Sequence, residues 1–366
     1  MEVRRLPRHK LFLSALLLGT VAGVALTLIQ FRQNRLDTVL LAAIRRDNTA
    51  VALEMLNDGA DPNAEAWIGA PNSPETLVVD IGFWLRHQRR PEKGFRAPAL
   101  YLVLTGPFRL NPERRAGGRF PRYAIPGARN FSRQENVPLV KALLDRGADP
   151  NRHPGRTSPL HLAVRLDYRD TVRLLLERHA DPNVLDDSHF TPLMAASPAC
   201  AALLIQHGAD VNAKGYQGLT PLMVAAADPG VSGEARLTTL LEHGANVNAR
   251  DVYGQTPLMH AATIRAAWLL LEHGADINAR TPSGVTALMM DCANYSQPEL
   301  PRFLVEQGAQ LSIKDRAGKS AIDYASDRQR VGLCRFLADA TARESRAGQI
   351  NRHGPAGTET RLPDPR

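Results

Sequence analysis

Cysteine, lysine and aromatic side chains are all scarce in this chain. Its 366 residues hold three cysteines, Cys200, Cys292 and Cys334, with no CxxC pair and no metal-ligand spacing. Neither a zinc-built nor a disulfide-stapled fold is therefore expected. The three read as small apolar residues buried on helices. Lysine numbers 6 against 39 arginines; with abundant Ala, Gly and Pro, that bias suits a GC-rich, bacterial genome. A GxSxG nucleophile turn, a P-loop and an HExxH helix are missing as well. The acids and bases that are present sit where capping and turn roles explain them. The chain is expected to be no enzyme and to hold no cofactor and no metal.

The formal net charge of +8 hints at nucleic acid until it is located. Residues 1–35 hold 6 basic and 1 acidic side chains and residues 97–135 hold 7 and 2, but residues 184–312 hold 6 and 12. A nucleic-acid reader needs a basic face along its binding domain. Here the middle of the chain is acidic, so no nucleic-acid partner is expected.

What the chain has in plenty is one short phrase, written over and over. Gly208-Ala209-Asp210-Val211-Asn212 returns at Gly59, Gly147, Gly244 and Gly274, with weaker copies at His179 and Gly308. From Gly147 onward the spacings are 32, 29, 36, 30 and 34 residues, a period that implies stacked small units rather than one core. An apolar run such as Leu174-Leu175-Leu176 precedes each copy and reads as a helix. The glycine then supplies the left-handed residue that ends it. About twelve residues after the glycine stands a helix start: Ser158-Pro159-Leu160-His161, Thr191-Pro192-Leu193-Met194, Thr220-Pro221-Leu222-Met223, Thr256-Pro257-Leu258-Met259 and Thr286-Ala287-Leu288-Met289. The hydroxyl caps orphan amides, and proline has no amide to leave unpaired at the first helical position.

These two signatures at this period closely resemble the ankyrin repeat. The resemblance implies an all-α ankyrin-repeat solenoid over 36–338, of about eight helix-turn-helix units with short β-hairpin tips. It also implies that the fourth-position histidine, kept only as His161, ties neighbouring repeats by hydrogen bonds. A solenoid of this family binds other proteins through its hairpin tips and the adjoining first helices. By position, that implicates Asp186, Asp187, His189 and Phe190; Lys214, Tyr216 and Gln217; Arg250 and Tyr253; Arg280 and Ser283; Lys314 and Arg316. Phe190, Tyr216 and Tyr253 are the aromatic anchors such an interface favours.

Residues 1–10 form a basic N-terminal flank with Arg4, Arg5, Arg8 and Lys10. From Leu11 to Ile29 run 19 uncharged positions, near the length that spans a bilayer. A transmembrane signal-anchor helix is expected over 11–31, with a cytoplasmic N-terminus. That places the repeats in the periplasm of a bacterial inner membrane. Gly23-Val24-Ala25 offers the alternative, a cleaved signal peptide and secretion to the periplasm. Ala15, Gly19 and Gly23 share one helix face, which would let two copies pair as a homodimer.

Gly59 to Gly147 is an 88-residue gap where one repeat fits. The surplus falls in two irregular insertions, 64–96 and 106–135. The second carries Arg114, Arg115 and Arg119 among aromatics, which suits a partner or lipid surface. His207, His243 and His273 precede closing glycines, where a helix C-terminus favours them. Residues 342–366, rich in Gly, Pro, Arg and Thr, are expected to be a disordered tail. The function expected is a membrane-anchored binding scaffold; the alternative is an inhibitor or immunity protein that binds an envelope toxin or hydrolase.

Overall fold

The computed structural model describes residues 8–68, 95–105, 135–153, 157–294 and 299–352, without the side chains of 8–22, 66–68, 95–97, 105 and 344–352. The chain divides into two compact units, Met1–His207 and Gly208–Arg366.

The first unit opens with helix α1, Arg8–Arg45, of 38 residues. The expected membrane segment and the first repeat helix form one continuous element. No glycine or proline interrupts the chain from Val24 to Arg45, so nothing ends the helix. Val24, Leu26, Leu28 and Ile29 are each more than 60% exposed. The side chains of Leu11 to Ala22 lie outside the described residues. Among the described residues no helix is long and apolar enough to cross a membrane.

Farther along, α1 turns amphipathic and buries Leu40, Ala43 and Ile44. It packs on α2, Thr49–Asn57, whose start is capped by Asn48 accepting from Val51 N. Three more pairs follow in this unit. They are Ala99–Thr105 with Val137–Asp145, Pro159–Arg165 with Arg169–Glu177, and the short 3₁₀ turn Pro192–Ala195 with Pro198–Gln206.

The second unit holds Pro221–Ala226 with Val231–Glu242, the 3₁₀ turn Pro257–His260 with Ile264–Glu272, Ala287–Ala293 with Leu300–Glu306, and Ala321–Asp327 with Val331–Arg352. The last helix passes Ala342, where the disordered tail was expected to begin. Ala338 to Ile350 carries several good helix formers and no proline, and those propensities extend the helix by three turns. Residues 353–366 lie outside the described residues.

The second helices share one position. Leu143, Leu175, Leu204, Leu240, Leu270 and Leu304 each stand four residues before the closing residue, and each is 0% exposed. The closing glycines Gly59, Gly147, Gly208, Gly244, Gly274 and Gly308 all have positive φ, between 81° and 97°, as helix-ending glycines must. His179 takes the same place at φ 63° without being a glycine.

The hairpin tips contain no strand among the described residues, contrary to expectation. Each is a tight turn closed by one backbone pair, as in Asp251 N to Gln255 O at 3.1 Å and Thr281 N to Val285 O at 3.0 Å. Among the described residues strands occur only at the first insertion, where β1 (Glu65–Ile68) pairs antiparallel with β2 (Phe95–Pro98). Residues 69–94 and 106–134, hence most of both insertions and Arg114, Arg115 and Arg119, lie outside the described residues.

Candidate partner-binding edge

An interface on a repeat array needs a rigid frame first, and here the repeated phrase builds it. In every copy but the one at Gly308 an Asp or Asn two residues after the closing residue turns the chain: Asp210 Oδ1 accepts from Asn212 N at 2.8 Å, and Asp276 repeats this with Asn278 N at 3.0 Å. The following asparagine then reaches the next repeat with both ends of its amide. Asn248 Nδ2 donates to Gly274 O at 3.0 Å while its Oδ1 accepts from Asp276 N at 2.9 Å. Asn151 does the same with His179 O and Asp181 N. Across the 88-residue gap, Asn63 donates to Gly147 O at 3.0 Å and accepts from Asp149 N at 2.8 Å. The gap therefore takes the place of a single repeat, with Asn63 and Gly147 as neighbours. Sequence reading took these asparagines as turn punctuation and missed their role as inter-repeat clamps; their recurrence at one offset was the signal.

Three tips stand on a carboxylate, buried at Asp186 and Asp251 and half-buried at Asp315. Asp251 Oδ1 accepts from Tyr253 N and Gln255 N, at 2.9 and 2.8 Å, and its Oδ2 lies 3.2 Å from His260 Nε2. Burial lowers the pKa of His260, opposed by that carboxylate. Asp315 holds Ala317 N and Lys319 N in the same way, and the Tyr324 hydroxyl donates to it at 2.8 Å. Asp186 belongs to this set. It is 1% exposed, accepts from Ser188 N and Phe190 N, and pairs with Arg165. The expectation that Asp186 meets a partner is corrected: its carboxylate is consumed inside the turn. Phe190 is half-buried rather than an exposed anchor, and its carbonyl lies 3.0 Å from His161 Nε2. Asp187 and His189 remain exposed beside it.

In the second unit Lys214, Arg250, Arg280, Ser283, Lys314 and Arg316 are all exposed, as are Tyr216 at 52% and Tyr253 at 54%. Gln217 is half-buried and donates to the Tyr253 hydroxyl at 2.9 Å, while its carbonyl accepts from Val252 N at 3.0 Å. Ser283 O accepts from Arg316 N at 2.9 Å. Arg250 donates to Gly254 O and Arg280 O, and Arg280 in turn to Lys314 O. Successive tips are thus tied side by side, with Tyr216, Val252 and Tyr253 facing water. Val252, 66% exposed, escaped the sequence reading because apolar residues at turns are usually buried.

Burial pushes the Cys200 thiol up to about 11 and the Cys292 thiol to about 12, so both stay protonated and unreactive at neutral pH. His243 and His273 each place Nδ1 within 2.9 Å of the carbonyl four residues back. Among the described residues no group of three His, Cys, Asp or Glu gathers to hold a metal ion.

A family model described as ankyrin repeats (3 copies) matches residues 130–215 and 197–281. The chain is an ankyrin-repeat protein. It is similar to alpha-latrocrustotoxin-Lt1a of Latrodectus tredecimguttatus, 39% identical over 94 residues, which are 24% of this chain and 7% of that protein. It is also similar to neurogenic locus notch homolog protein 4 of Homo sapiens, 44% identical over 91 residues, or 23% and 4%. The chain thus spans under a tenth of the length of these curated relatives. Among solved structures, the ankyrin repeat domain of Bcl-3 aligns at 34% identity and a TM-score of 0.47, covering 52% of this chain and 89% of that one. Ankyrin arrays are protein-interaction modules and typically non-enzymatic scaffolds.

Proposed function

We propose that this ankyrin-repeat chain is a single-pass membrane-anchored module that binds another protein along its tip edge, with the repeats on the periplasmic face of a bacterial inner membrane. The observation behind the binding edge is the row of exposed Tyr216, Val252 and Tyr253 on tips cross-tied by Gln217. Rigid exposed aromatics lose little entropy on binding and make strong anchors. Replacing Tyr216 and Tyr253 by a photocrosslinking residue in envelope membranes should trap one protein reproducibly. Crosslinking no stronger than from Glu242, exposed away from the tips, would overturn the reading.

The anchor rests on the uncharged run Leu11–Ile29 behind a basic flank, and on α1 exposing Val24 through Ile29 to whatever surrounds it. A phosphatase fused after Arg352 should be active outside the cytoplasm; activity of a cytoplasmic reporter instead would reverse the topology. An added Cβ at Gly23 meets nothing within 4 Å. A Gly23→Ile change in a membrane-dimerisation reporter tests whether Ala15, Gly19 and Gly23 pair two copies. Partner capture by Arg114→Ser, Arg115→Ser and Arg119→Ser variants tests the basic insertion. No observation favours an inhibitor role over this general one.

A further inference from the structure

The second unit carries a cation at the same place in every repeat. Lys214, Arg250, Arg280 and Lys314 each stand six residues after the closing glycines Gly208, Gly244, Gly274 and Gly308, and all four are exposed. The corresponding residues in the first unit are Glu65, His153 and Leu185, so the register belongs to the second unit alone. Among the described residues none of the four lies within ion-pair distance of a carboxylate, although residues 184–312 are acidic as a whole and the charge of Lys314 helps lower the pKa of Asp323. The tip carboxylates Asp251 and Asp315 are committed elsewhere, each holding two backbone amides and a side chain. The Arg250 and Arg280 guanidiniums instead bond to the carbonyls of the next cation in the row, Arg280 O at 2.8 Å and Lys314 O at 2.7 Å. Those bonds fix the positions of the charges without neutralising them. Like charges kept in a row are mutually repulsive, and an anionic partner relieves that.

We infer that this row binds an extended acidic polypeptide segment in polyproline II conformation, an inference that rests on the tip edge being the partner surface. Packed helices stand about 8–10 Å apart, so residues at one position of successive repeats are expected to recur at about that interval. A polyproline II chain rises about 3.1 Å per residue with three residues per turn. It therefore presents every third side chain on one face at about the same interval. A carboxylate at each third position meets the cations in register. Tyr216 and Tyr253, exposed two to three residues beyond Lys214 and Arg250, supply the aromatic surfaces on which prolines of such a segment pack.

The test uses the full chain in phosphatidylcholine nanodiscs and a fluorescein-labelled (Glu-Pro-Pro) repeat peptide of about twenty residues. Fluorescence anisotropy should show binding that weakens with added salt. Lys214→Ser with Lys314→Ser, two side chains without hydrogen bonds in the fold, should weaken it at least tenfold while leaving the thermal transition unchanged. Arg335→Ser, an exposed cation elsewhere, should not. A peptide of the same composition with its glutamates in one block should bind at least several-fold more weakly. Equal binding of the two peptides, or no effect of the double lysine change, overturns the inference. Displacement by phosphatidylglycerol vesicles but not by unlabelled peptide also overturns it and assigns the row to a lipid surface. If the photocrosslinks from Tyr216 and Tyr253 survive the double lysine change, the protein-binding edge stands and only the acidic segment falls.

Discussion

Asp291 is the residue whose placement is hardest on its own chemistry. It is 7% exposed on the helix Ala287–Ala293, and its Oδ2 has no hydrogen-bond partner among the described residues. Burial raises its pKa to about 8, against the opposing pull of Arg330. Arg330 spends one guanidinium nitrogen on the carbonyls of Asp291 and Asn294, each at 2.8 Å. A carboxyl whose pKa is higher folded than unfolded favours the folded state below its unfolded value, and that contribution is lost as pH rises through the folded one. The native chain should therefore lose stability between about pH 4 and pH 8 on this account. Asp291→Asn should flatten that dependence, raising the melting temperature at pH 8 by several degrees but changing little at pH 4. A parallel pH profile for both proteins would refute the assignment. Asn248→Ala removes two bonds to the next repeat. At a half-exposed site where water replaces part of the loss, it should cost about 1–2 kcal/mol in urea unfolding.

At the level of the element, the helix starts behave in two ways that one motif in the sequence does not separate. Thr220 and Thr286 cap their helices by accepting from Met223 N and Met289 N. Thr191 and Thr256 open 3₁₀ turns of four residues instead, and their buried hydroxyls have no hydrogen-bond partner among the described residues. An unsatisfied buried hydroxyl costs free energy, whereas a cap contributes about 1 kcal/mol. Thr256→Val should be neutral or stabilising, while the same change at Thr220 should destabilise by about 1 kcal/mol. Equal losses at both sites in chemical denaturation would contradict the difference seen in their bonding. The repeat period, the closing glycines and the Ser/Thr-Pro starts were enough to place nearly every helix. Propensity alone did not mark where α1 or Val331–Arg352 would stop, because nothing in either run breaks a helix.

For the whole molecule, stability is distributed. Within each compact unit a repeat buries its second-helix leucine, and contacts run mainly between adjacent repeats. Leu240, 0% exposed, should cost about 2–5 kcal/mol when changed to Ala. Its effect on amide hydrogen exchange should concentrate in Val231–Glu242 and the helices packed on it. Protection in Arg169–Glu177 of the other compact unit should change far less. Uniform loss of protection across both units would mean that the chain unfolds as one cooperative body.

The sequence by itself determined the family of fold, because a helix stop, a turn and a capped helix start recur at a near-constant period and each acts locally. It also singled out the tip positions, since those vary while the frame repeats. Only the tertiary structure decided which tip residues are free. Asp186 and Asp251 look like exposed turn acids in the chain, yet each is buried by amides that converge on it from two to four residues away. Likewise, the clamp of Asn63 on Gly147 joins residues 84 apart. That separation, set by an insertion of arbitrary length, carries no local signal, and only the stacking of neighbouring repeats brings the two together.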